Sequence, residues 1–201
     1  MSTNDMPSSI IITNMPQEMY NDGLYYLNEA KKLNCDQRFA KWRFFRSAII
    51  NFCISTETFL HQTIVHHLKQ KNTLNKYEQD WLDFLENPNS TIDIKTLKHG
   101  INVKSKFINV LGWIISSDLT KNHDYMSKFN NYKNLTEFRN KIVHYSTSNH
   151  SPVYRQIENW ANQAPDIASE MIIAIHHVAP IHANPPSWVL SKAYIDFDDR
   201  R

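Results

Sequence analysis

The sequence predicts an all-α protein, and three observations carry that expectation. Only three glycines occur in 201 residues. β-branched residues rarely alternate with polar ones over a long run, and apolar residues recur instead at spacings of three and four. The length suits one domain with a real hydrophobic core. A net charge of +2 is too small to mark a nucleic-acid binder by itself, so any RNA site must be a local basic patch.

Residues 1–14 are polar and read as a flexible amino-terminal segment. Pro16 is placed to open a first helix running to about Leu33, because a proline in the first turn lacks only an N–H that would have no partner there. Asp36 is the expected N-cap of the next element. That element, from Gln37 to about Lys71, contains neither glycine nor proline. It keeps Trp42, Phe45, Ile49, Phe52, Cys53, Phe59, Leu60, Ile64 and Leu68 at helical spacing, and it is the expected spine of the fold. A shorter helix covers Lys76 to Leu85 and stops at Asn87-Pro88. A fourth runs from about Ile94 to Trp113. Ser116 to Asn131 is rich in Asn and Asp and reads as a loop, either continuous or broken by a helical turn. A helix carrying residues 135 to 145 follows, then one or two helices over Val153 to Val178. Pro180, Pro185 and Pro186 break the chain before an apolar-rich tail. The domain is expected at 15–179, with a Pro-rich carboxy-terminal tail at 180–201.

The chemistry concentrates in Leu135-Thr136-Glu137-Phe138-Arg139-Asn140-Lys141-Ile142-Val143-His144-Tyr145. Leu135, Phe138, Ile142 and Tyr145 form its apolar face. Asn140 and His144, four apart, share the opposite side, and Arg139 lies on the flank between. This puts a permanent cation, an amide and an imidazole on one short helix, the groups needed to hold an RNA phosphate and move protons around it. Val143 stands on the non-core side beside Arg139, where a merely solvated face would carry a polar residue, which suggests that a second subunit covers it.

Glu57 falls on the line Ile49-Cys53-Glu57-Leu60-Ile64, on or beside the apolar stripe of the spine. A buried unpaired carboxylate is costly. Its partner is either His61, one turn on, or Arg139; otherwise it reaches water at the stripe's edge. The run Arg38 to Arg46 interleaves cations with aromatics. It reads either as a nucleic-acid surface or as a core face lined by Trp42 and Phe45 with Arg43 and Arg46 solvated opposite.

Several classes find no support. Cys35 and Cys53 make no disulfide framework, and Cys53 reads as a buried thiol. His61, His66 and His67 lack metal-ligand spacing, as do His176, His177 and His182, so no metal or cofactor is expected. Phosphate-cradling glycine loops, serine hydrolase signatures and Rossmann signatures are missing. No basic leader precedes Ile10-Ile11-Ile12, and no apolar run approaches the ~20 residues of a bilayer span. The expected location is the cytoplasm, with no membrane partner.

Arg, a polar residue, three more residues and then His is the signature of the HEPN family (higher eukaryotes and prokaryotes nucleotide-binding), and Arg139 to His144 resembles it closely. The resemblance covers Leu135 to Tyr145. It implies a bundle of four to five core helices and a homodimer in which two motif helices pool their Arg and His residues in one cleft. It further implies a metal-independent endoribonuclease, as found among toxins and antiviral effectors, with an antitoxin or regulatory protein as a further partner. Arg139, His144 and Asn140 would be the catalytic set, supported by Glu57 and Tyr145. Some HEPN toxins carry a modified tyrosine two residues after the motif histidine. Here Ser146 occupies that place, so that form of regulation is not carried over. The family also contains non-catalytic modules that bind a nucleotide, RNA or a protein partner.

Overall fold

The computed structural model describes residues 14–87, 91, 92, 97, 102–143 and 151–194, without the side chains of 151–154. The protein is all-α, with no strand among the described residues. Helix α1 (Met15–Lys32) begins with Pro16 in its first turn. It runs antiparallel to α2 (Arg38–Lys69), whose 32 residues match the expected spine. Three contacts fix their register. The Ser55 hydroxyl donates to the Pro16 carbonyl at 2.6 Å, Phe52 seats against Gly23, and Phe44 stacks on Tyr26 with centroids 6.3 Å apart. A Cβ on Gly23 would stand 2.8 Å from the Phe52 ring, so the missing side chain sets how closely the helices approach.

Helix α2 is central because it buries several faces at once. Phe45, Ile49, Phe52, Leu60, Ile64 and Leu68 are all buried, and so are Thr56 and Thr63. Those two threonines satisfy their hydroxyls locally, donating to Phe52 O at 3.0 Å and Phe59 O at 2.9 Å. Asp36 is not the N-cap. It sits inside a turn closed by the Gln37 N–H on Asn34 O, which moves the helix start to Arg38. Helix α3 (Lys76–Glu86) opens on a capping box between Asn75 and Glu78 and buries Trp81.

The start of the fourth expected helix lies outside the described residues. Its later part is a widened π-helical stretch, Ser105–Val110, running into α4 (Leu111–Ile114). This helix stops at Ser116, whose φ of 55° is left-handed, while the Ser117 N–H returns to Gly112 O at 2.8 Å. A Cβ on Gly112 would come 2.6 Å from Ser117 O.

Ser116 to Asn131 is not the expected loop. Asp118 caps a 3-10 turn, Leu119–Lys121, and α5 (His123–Val143) begins at once, with the Asn122 side chain accepting from the Tyr125 N–H at 3.0 Å. Tyr125, Phe129 and Tyr132 are buried at spacings of four and three. The Asn and Asp residues that suggested a loop are instead caps and the wet face of an amphipathic helix. The motif thus rides the end of a 21-residue helix.

Helix α6 (Ser151–Val178) is one helix with Pro165 inside it. Ala161, Ala164 and Ala168 are fully buried, giving a narrow face that lies close to α2. Tyr20 donates to Pro165 O at 3.0 Å. The chain then turns back: α7 (Ser187–Ser191) buries Trp188 and Val189, with Trp188 5.4 Å from Tyr20.

Candidate functional site

The last turns of α5 pack on the middle of α2. Leu135, Phe138 and Ile142 are buried as the spacing predicts, and Phe138 stacks on Trp160 of α6 with centroids 5.4 Å apart. That anchor turns Arg139 toward α2. Its Nη2 donates to Glu57 Oε1 at 2.7 Å, which decides the partner of Glu57 in favour of Arg139. Each side chain is about a quarter exposed (26% and 25%), so the pair is held by the core yet touches water.

The pair has a built underside. Cys53, one turn before Glu57, is buried, and burial pushes its thiol up to about 12, against the opposing pull of Arg139. It is therefore a neutral, unreactive thiol at physiological pH. The Tyr132 hydroxyl donates to Cys53 O at 3.1 Å, and burial holds its ionisation well above the usual tyrosine range. Arg139 Nε is buried without a hydrogen-bond partner. The guanidinium is thus pinned along one edge by a carboxylate, over a floor that cannot ionise.

Asn140 is exposed, as expected for the polar side, and Val143 is 47% exposed. His144 and Tyr145, expected as catalytic and supporting residues, lie outside the described residues, immediately after the described end of α5. His61 does not pair with Glu57. Burial, and then the nearby Lys106, push its imidazole down to about 4, and its Nε2 has no partner. Sequence reasoning missed Tyr132. The available signal was its place two turns before Arg139, on the same side of one helix, just past the expected loop and ahead of the residues assigned to the motif helix.

Among the described residues, no three His, Cys, Asp or Glu side chains converge as a metal site would need. No helix there is long and apolar enough to cross a membrane. No protein-family model matches the chain, and comparison with curated proteins and with solved structures finds no match.

Proposed function

We propose that the protein is a metal-independent endoribonuclease of HEPN type, working as a homodimer through the end of α5. One observation supports this most: Arg139 is fixed by Glu57 at 2.7 Å beside the exposed Asn140, on the helix that leads into His144. A guanidinium cannot lose its proton at neutral pH, and a carboxylate on one edge orients its remaining donors. In this reading Arg139 binds the scissile phosphate and stabilises the charge that develops on it. His144 supplies an imidazole, the side chain suited to proton transfer near neutral pH, and takes the ribose 2′-OH proton. The 2′ oxygen attacks phosphorus, the bond to the 5′ oxygen breaks, and the leaving oxygen is protonated by a second imidazole. The products are a 2′,3′-cyclic phosphate and a 5′-hydroxyl.

Acid and base together need two proton-transfer groups, and each chain offers one at the motif. A second copy supplies the other, and the exposed Val143 gives it an apolar contact. Asn140 orients His144 or bonds a phosphate oxygen. A cytoplasmic toxin or antiviral role, restrained by an antitoxin or other regulatory protein, is the setting this chemistry fits.

The test is incubation of purified protein with total RNA in EDTA. New ends carrying cyclic phosphate, with a DNA copy left intact, are the expected result. Activity that vanishes in chelator and returns with magnesium would place the chemistry elsewhere. Mixed dimers of wild type with His144→Ala should be strongly impaired, and a rate half that of wild type would mean that each subunit works alone.

A further inference from the structure

The first half of α2 carries a charge pattern that neither packing nor helix formation calls for. From Arg38 to Thr56 it holds four cations, Arg38, Lys41, Arg43 and Arg46, and no Asp or Glu. The start of a helix carries partial positive charge and favours acidic side chains, yet α2 has none in its first turn. Lys41 is engaged with Glu158 at 3.3 Å and with the Phe45 ring. Arg38, Arg43 and Arg46 form no ion pair among the described residues. Phe39 is 73% exposed and meets the half-buried Trp42 edge-on at 5.5 Å. Of the two aromatic residues expected on the core face, Phe45 alone is fully buried.

At about 100° per residue, Phe39, Arg43, Arg46, Ile50 and Glu57 fall within about 60° of one another. They form one stripe from the first turn of α2 to the Arg139–Glu57 pair. Along the helix, Arg46 is about 17 Å and Phe39 about 27 Å from Glu57, the span of a few nucleotides. Ile54, 38% exposed, widens the stripe on one side.

We propose that this stripe is a binding track for single-stranded RNA leading to the candidate site. Arg43 and Arg46 hold backbone phosphates, and Phe39 stacks on an unpaired base. An exposed ring beside two cations is what a single strand offers contacts for, since each nucleotide presents one phosphate and one flat face. A duplex hides those faces. The path of the strand rests on the endoribonuclease reading; binding to the stripe does not require cleavage.

The test uses the full chain and a fluorescent twelve-nucleotide oligouridine, with binding read by anisotropy over a salt series. The triple variant Phe39→Ala/Arg43→Ala/Arg46→Ala should bind at least about tenfold more weakly. Its dependence of log affinity on log salt should flatten by about 1.4, or about 0.7 for each lost phosphate contact. All three side chains are at least partly exposed, so helicity by circular dichroism should be unchanged. Weakened RNA binding in the triple variant, with a wild type that cuts nothing, keeps the track and removes the cleavage reading. A triple variant that cuts the oligonucleotide with wild-type KM removes the track and keeps cleavage. A wild type that binds no single-stranded RNA overturns the track. So does equal weakening toward polyglutamate with Phe39→Ala alone silent, which would assign the cations to an acidic protein.

Discussion

Glu57→Ala isolates what holds Arg139 in place. The substitution removes a charge-assisted hydrogen bond of 2.7 Å and leaves a guanidinium whose Nε already has no partner. Hydrogen bonds to charged groups contribute roughly 1.5–3 kcal/mol net, and exposed ion pairs only about 0–1. With a quarter of each side chain wet, water recovers part of the loss, so about 1.5 kcal/mol is expected. For a chain of this size that lowers Tm by roughly 3–6 °C. Arg139→Ala should do about the same, because it strands Glu57 beside buried Cys53 and Tyr132. The double variant should be no worse than either single, giving a coupling of about 1 kcal/mol or more in a cycle measured by urea unfolding. Glu57→Gln, which keeps an oxygen acceptor, should fall between wild type and Glu57→Ala. Additive single losses would refute the account of Arg139 as a guanidinium positioned by Glu57.

Two further predictions follow from packing and burial. His61 is pushed down to about 4 in the folded chain against 6.5 unfolded, so the unfolded state binds the extra proton. Its contribution is complete above pH 6.5 and lost as pH falls toward 4, roughly 3 kcal/mol at the limit. His67 and His176 are pushed down by burial and add in the same direction. His61→Leu should flatten unfolding free energy between pH 4 and 6.5, and an unchanged slope would place the acid sensitivity elsewhere. Gly23→Ala should destabilise by about 1–2 kcal/mol despite alanine's better helix propensity, because Phe52 has nowhere to go. A raised Tm would show that α1 and α2 are farther apart than described.

The spine, the first helix and the apolar face of the motif were legible because periodicity reports burial directly. Ile49, Phe52, Leu60 and Ile64 had to face inward wherever the chain went. The alternative partners of Glu57 could be named from position alone, since a carboxylate on an apolar stripe demands one. Choosing between His61 and Arg139 required the angle at which α5 crosses α2, which Phe138 and Trp160 set from a third helix. The first half of α5 was misread because Asn122, Asp124, Asn130 and Asn131 signal turns locally. Three aromatic rings on the opposite face outweigh that signal once a core exists to receive them. The carboxy-terminal hook was equally illegible: Trp188 packs on Tyr20 across the whole length of the sequence, and no local pattern encodes so distant a contact.

The central claim is that Arg139 and His144 form one RNA-cleaving set, and the most direct measurement is the single-turnover rate of RNA cleavage in chelator. Arg139→Ala and His144→Ala should each lose at least ~100-fold against wild type with their helicity retained. Wild-type rates in either variant, or a wild type that leaves RNA intact, would contradict it.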